Sequence, residues 1–274
     1  EYTIINNQAT ITGYKGKPVY IDIPETIEGC QVVEIRDNAF YECSTLKHID
    51  LPETIQKIGH HSFYACSALE DISIPDSVTD IGMGCLSGMF DRNDDVLYIC
   101  YDNQAYMNTG VQRSSATPAL ARTATTMPNS QYNGSDPETG KNVPDIAMAH
   151  GIPYVAVASV GNIHDLERKV AKAINIRGAK YIQIHCPCPL GWGFPTAETI
   201  RIARLDLKSG MYPLFEAENG VLVESTPIED PIPVEEYLRV QKRFAHLFGK
   251  RAIPENVGIL QKIANRNVEK YRLG

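Results

Sequence analysis

The chain has 274 residues, a pI near 5.5 and a formal charge of −7. Mild acidity excludes nucleic acid as the main partner, since phosphate binding takes a basic patch, and 43% hydrophobic against 22% charged residues excludes a disordered chain. No apolar run nears the length that crosses a bilayer, so no membrane partner is expected. Seven scattered cysteines do not read as the paired framework of a small secreted domain. Reduced thiols and a cytoplasmic location are the expectation. The first residue is Glu1 rather than Met, which reads as a processed or truncated end, and no signal peptide is visible.

The N-terminal third is repetitive. Ile21-Asp-Ile-Pro-Glu-Thr-Ile27 recurs as Ile49-Asp-Leu-Pro-Glu-Thr-Ile55 and as Ile72-Ser-Ile-Pro-Asp-Ser-Val78, and Ala39-Phe-Tyr-Glu-Cys-Ser-Thr-Leu46 recurs as Ser62-Phe-Tyr-Ala-Cys-Ser-Ala-Leu69. Ile35, Ile58 and Ile81 fall in step at 23 residues, while the first interval carries five extra residues around 28–32. A period of this length predicts a solenoid, because one coil cannot bury its apolar positions without a neighbour. Cys43 and Cys66 fall on equivalent rungs and read as small packing residues rather than as a disulfide or metal pair.

From Asp80 the pattern changes. Asp95-Val-Leu-Tyr-Ile-Cys-Tyr101 predicts a buried parallel strand, followed by the Gly-, Ser-, Thr- and Pro-rich stretch 108–144, judged too polar to form core. A helix over 143–150, a strand over 154–159, a helix over 164–174, a strand over 181–185 and a helix over 197–208 then alternate. That order predicts a parallel sheet covered by helices on both faces. Extended segments at 214–218 and 222–224 precede two closing helices, 234–248 and 254–272. Tyr101-Asp-Asn-Gln-Ala-Tyr-Met-Asn-Thr-Gly110 leaves the end of the first strand, where open α/β sheets bind ligands. Asn103 offers a neutral oxygen suited to a hard divalent cation. By residue type alone, Asn103 and Asn108 read more readily as turn residues, since Asn is common in loops.

These motifs carry two resemblances. Residues 1–80 resemble leucine-rich repeats of the bacterial surface-protein type, whose coils are adhesion or interaction surfaces; alone they would imply a surface or secreted location. From Asp80 the chain resembles the thiamine-diphosphate half of a 2-oxoacid:ferredoxin oxidoreductase β subunit, above all that of pyruvate synthase. The likeness rests on the Tyr101–Gly110 motif, on Val111-Gln-Arg-Ser114, on Ala149-His-Gly-Ile-Pro-Tyr-Val-Ala156, on Cys186-Pro-Cys-Pro-Leu-Gly-Trp-Gly-Phe194 and on Tyr212-Pro-Leu-Phe-Glu216. It implies a mixed fold: a short leucine-rich-repeat β-solenoid (residues 1–80), then the C-terminal half of an α/β thiamine-diphosphate-binding domain (81–195), incomplete at its N-terminal end, and a C-terminal extension (196–274).

The same resemblance implies roles. Asn103 would ligate Mg2+ through its side chain and Ala105 through its carbonyl. Asn108 would lie beside the thiazolium and the 2-oxoacid, as the catalytic candidate, with Thr109 next to it at the cofactor. Cys188 would give one thiolate to a 4Fe-4S cluster, which needs four. Implied partners are the other oxidoreductase subunits, ferredoxin, pyruvate and coenzyme A. The sequence departs from the family twice. Ile74, Pro75 and Asp76 stand where the family has a Gly-Asp-Gly that binds magnesium, and proline cannot ligate. Nothing in the repeat scaffold suggests a replacement for the three other cluster cysteines. The chain is therefore expected to be inactive alone; the alternatives are a non-catalytic interaction protein built on the repeats, and an artefactual chimera of two gene fragments meeting near Asp80-Ile-Gly82.

Overall fold

The computed structural model describes residues 1–59, 61–69, 71–72, 80–81, 83–107, 110–126, 134–135, 140–250 and 252–274. They form two compact units, Glu1–Arg92 and Asn93–Gly274. The units divide at 92/93 rather than 80/81, and residues on both sides of the expected 195/196 boundary belong to one body. Among the described residues no helix is long and apolar enough to cross a membrane.

The first unit is the expected solenoid. β1 (Tyr2–Ile5) and β2 (Gln8–Ile11) make a hairpin, β3 (Tyr20–Asp22) and β4 (Thr26–Ile27) lead into β5 (Cys30–Ile35), and later coils each give two short strands: β6 (His48–Asp50) with β7 (Lys57–Ile58), and β8 (Asp71–Ile72) with β9 (Asp80–Ile81). Parallel pairing sets Ile35, Ile58 and Ile81 side by side along β5-β7-β9, and Ile21, Ile49 and Ile72 along β3-β6-β8. The sequence period is thus the sheet register itself. Rings follow the same step: Phe40 stacks on Phe63 at 5.3 Å and Tyr41 on Tyr64 at 5.0 Å. The five extra residues build a hairpin in which Ile27 pairs with Cys30 across Glu28 and Gly29, both left-handed at φ 52° and 78°. Such a two-residue turn matches the twist of its strands. Cys43 is buried in the coil core and Cys66 packs against it, as expected of packing residues. The helix α1 (Met83–Arg92) belongs to this unit.

The second unit is built on a five-stranded sheet. In chain order it contains β10 (Leu97–Asp102), α2 (Val143–Ala149), β11 (Tyr154–Ser159), α3 (Ile163–Ile174), β12 (Lys180–His185), α4 (Pro189–Trp192), α5 (Thr199–Lys208), β13 (Phe215–Glu218), β14 (Val221–Ser225), α6 (Val234–Arg239) and α7 (Pro254–Lys270). The sheet order is β10-β12-β11-β13-β14. The first three strands are parallel; β13 and β14, expected only as extended segments, add an antiparallel edge. All six residues of β11 are buried, the pattern of a central strand covered on both faces. Tyr154, Ala156 and Ala158 pack with Leu166 and Val170 of α3, while Val157 points the other way, into a cluster with Met148, Leu207 and Val268 from α2, α5 and α7. Two Asn side chains cap helices, Asn142 receiving the Asp145 amide at 3.1 Å and Asn162 that of Asp165 at 3.3 Å.

Two expectations need correction. The stretch 108–144 does enter the core: Leu120 and Ala121 are fully buried beside Trp192 and Phe244. Its hydroxyls make this affordable by bonding nearby backbone, as when Thr117 Oγ1 donates to the Gln104 carbonyl and accepts from the Ser114 amide, both at 2.9 Å. The helix expected over 234–248 ends at Arg239 and resumes as a 3₁₀ segment, Lys242–Phe248. Between them the Gln241 side chain donates to the Tyr237 carbonyl, occupying the acceptor that a continuing α-helix would give to the residue 241 amide.

Candidate functional site

The carboxyl ends of the three parallel strands lie in one row. Asp102 of β10 is in register with His185 of β12, which is in register with Ser159 of β11. Beyond Asp102 the chain turns sharply: the Gln104 amide donates to Asp102 Oδ1 at 2.9 Å, Gln104 is left-handed at φ 64°, and Tyr106 bridges back to Gln112. Residues 103–107 therefore form a tight polar turn directly above the sheet.

Of the site residues expected from sequence, the structure places Asn103 and Ala105 on this turn, half-buried, with the Asn103 side-chain oxygen only 3.4 Å from the Ala105 amide. Asn108 and Thr109 lie outside the described residues, as do Ile74, Pro75 and Asp76. Cys188 comes close. It precedes α4, whose Gly191 packs against the flexible end of the Met107 side chain on the turn. From α4, Trp192 Nε1 donates to the Asn103 carbonyl at 2.9 Å.

Sequence reasoning passed over the buried groups beneath. Asp102 is 7% exposed and accepts from Gln183 Nε2 at 2.9 Å and Tyr212 Oη at 3.0 Å. Burial pushes its carboxyl up from the usual range, while those donors and His185 pull the other way. His185 stacks on Tyr212 at 4.1 Å, and its Nε2 lies 3.0 Å from Asp206 Oδ2, which also receives the Tyr237 hydroxyl at 2.8 Å. The histidine is fully buried. Against the same face lies a cavity of about 220 Å3 lined by Asp102, Gln183, Asp206 and Tyr212 among others. Asp102 could have been noticed as the acid closing an apolar run. Tyr212 entered only as part of a motif, and Asp206 carried no local signal.

The donor chemistry can be tested against the implied groups. A neutral amide oxygen and a backbone carbonyl suit magnesium, and Asn103 and Ala105 bring both to one turn, with the Asn103 oxygen accepting from the Ala105 amide. Asp102 is occupied mainly inside the domain, accepting from the Gln104 amide, Gln183 and Tyr212. The turn thus fits as part of a magnesium–diphosphate site. An iron–sulfur cluster does not fit. Among the described residues no three His, Cys, Asp or Glu side chains converge to hold a metal ion. Cys188 instead packs against the Trp192–Phe244 cluster, and Cys186 against the α3 face of the sheet.

Comparison with known proteins agrees with this division. Residues 19–94 match the BspA type leucine rich repeat region in six copies, and residues 77–184 match the thiamine pyrophosphate enzyme C-terminal TPP binding domain. The two matches overlap over 77–94, a stretch that includes Asp80-Ile-Gly82. The chain is 48% identical over 192 residues to pyruvate synthase subunit PorB of Methanosarcina barkeri, covering 70% of this chain and 64% of that one. It is 46% identical over 183 residues to ketoisovalerate oxidoreductase subunit VorB of Pyrococcus abyssi, covering 66% and 57%. It therefore spans less than two-thirds of the length of these relatives. Among solved structures it is similar to a 2-oxoglutarate:ferredoxin oxidoreductase from Magnetococcus marinus, at TM-score 0.38 and 18% identity over 62% of this chain and 54% of that one. The chain is thus similar to BspA-type leucine-rich repeats over 19–94 and to the C-terminal TPP binding domain of thiamine pyrophosphate enzymes over 77–184, with pyruvate synthase and ketoisovalerate oxidoreductase subunits among its relatives.

Proposed function

We propose that the second unit is the part of a 2-oxoacid:ferredoxin oxidoreductase β subunit that holds Mg2+ and thiamine diphosphate, with pyruvate as the 2-oxoacid. Coenzyme A would accept the acyl group and ferredoxin the electrons, in a cytoplasmic complex with further subunits. When bound, thiamine diphosphate supplies a thiazolium carbanion for decarboxylation. The chain's own part is to hold it: Asn103 offers its amide oxygen and Ala105 its carbonyl, on a turn fixed from below by Asp102 and from the side by Trp192. The observation that carries this reading is that turn, at the carboxyl end of β10, within a segment 48% identical to a pyruvate synthase subunit.

The chain alone is inactive in this reading, because its described residues bring no carboxylate to the cation and one cysteine where a cluster needs four. Pyruvate-dependent reduction of methyl viologen by the purified chain, with coenzyme A, Mg2+ and thiamine diphosphate, tests it. No turnover is expected, and turnover would refute the claim of inactivity. The same incompleteness favours a second reading, a non-catalytic protein that works through its repeats, whose surface exposes Val19 and Tyr20. Absence of any thiamine diphosphate binding would favour that reading. A chimera of two gene fragments is the third; one continuous sequencing read of source DNA across codons 60 to 100 excludes it if the join is present.

A further inference from the structure

Arg243 is the least expected group near the turn. It stands 139 positions from Gln104 in sequence, in a segment where the sequence alone marks no site. Its side chain is nonetheless buried there, at 6% exposure. The guanidinium lies over the Trp192 ring, 3.4 Å from its centroid. Nη2 donates to Gln104 Oε1 at 2.9 Å and to Tyr237 Oη at 2.8 Å, and Nε donates to Gln241 Oε1 at 2.7 Å. The Arg243 carbonyl in turn receives the Arg122 amide at 2.9 Å. None of these guanidinium bonds goes to a carboxylate; Asp102 and Asp206 act on it only through space. A buried cation without a direct counter-ion is a costly way to fill volume. What a guanidinium does that an apolar side chain or a lysine cannot is to stack on a ring and present a rigid fork of donors at once.

We infer that Arg243 is a positioning residue for the Asn103–Ala105 turn, holding Gln104 through its fork and the Asn103 carbonyl through the ring of Trp192. The two neighbouring residues of the turn are thereby tied to one planar group, and the Asn103 amide and Ala105 carbonyl are presented together. The C-terminal segment then sets the geometry above the sheet rather than merely covering it. The functional meaning rests on the proposed role of the turn in holding magnesium and diphosphate; the clamp itself does not.

The test uses the full chain as wild type, Arg243→Lys, Arg243→Gln and Gln104→Met, the last removing the acceptor while leaving the buried cation in place. Trp192 is the one tryptophan of the sequence, so its emission reports the stacked guanidinium directly. Amide exchange read residue by residue reports the turn. Expected in all three variants is exchange at Gln104, Ala105 and Tyr106 faster by about tenfold, the size of one lost charge-assisted hydrogen bond, with β12 amides unchanged. The two Arg243 variants should also shift the Trp192 emission, with lysine failing to restore it. Where wild type binds Mg2+ and thiamine diphosphate, its dissociation constant should rise by a similar factor. Unchanged exchange in the turn, an equal rise across the sheet, or full rescue by lysine overturns the clamp. Wild type that binds no cofactor defeats the functional reading alone, since exchange and emission still decide the role of Arg243.

Discussion

Lys169 of α3 is almost completely buried, and its ammonium donates to Asp165 Oδ2 at 2.6 Å and to the Val157 carbonyl at 2.7 Å. Asp165 has other partners: Arg168 Nη2 at 3.0 Å and the Thr226 hydroxyl at 3.2 Å, both on Oδ1. The pair is therefore asymmetric. Asp165→Asn leaves a buried ammonium with only neutral acceptors and no counter-charge beside it, and should cost about 3–5 kcal/mol. Lys169→Met leaves a carboxylate still paired with Arg168, with an apolar chain in the emptied space, and should cost within about 2 kcal/mol. Urea unfolding followed by Trp192 emission reads this unit, because the only tryptophan lies in it. Burial also holds the Lys169 pKa below its ordinary 10.5. With the folded value below the unfolded one, the unfolded chain binds the extra proton between them, so stability rises with pH across that window. Wild type should gain on Lys169→Met as pH climbs toward 10.5. Equal losses in the two variants, or a loss below about 1 kcal/mol for Asp165→Asn, would refute the reasoning.

Burial, with the Arg122 charge adding to it, pulls the His246 imidazole down from 6.5 to about 4. The folded value is the lower one, so its contribution to stability is present above pH 6.5 and is lost as pH falls toward 4; His246→Leu should flatten that slope in acid-unfolding curves. In the solenoid, a Cβ on Gly59 would collide with the backbone of Arg36 at 2.7 Å and with Asp37. Gly59→Ala should therefore destabilise the first unit by about 1–3 kcal/mol, lowering its calorimetric transition while the Trp192 transition holds. Anaerobic reconstitution with iron and sulfide should give no 4Fe-4S absorbance in this chain, since among the described residues no further thiolates converge on Cys188; a stoichiometric cluster would contradict that.

Much of the fold was legible because it is periodic. The recurrence of Ile35, Ile58 and Ile81 is a statement about register, and the strands pair on it. The alternation from β11 to α5 was equally visible, since local apolar spacing decides it. What escaped depended on distant partners. Gln241 bonding back to Tyr237 breaks a helix that spacing alone continues. Leu120 and Ala121 enter the core because hydroxyls across their loop satisfy its backbone, which composition reads only as polarity. The site divides in the same way. Asn103 and Ala105 belong to a contiguous motif and could be named from it, whereas Arg243 reaches Gln104, and Asp206 reaches His185, from distant segments.

Isothermal titration of thiamine diphosphate into the purified chain, with magnesium and with EDTA, tests the central claim most directly. The account predicts saturable binding that requires magnesium and is lost in Asn103→Ala. Absence of binding at millimolar cofactor, or binding indifferent to both magnesium and Asn103, would contradict it.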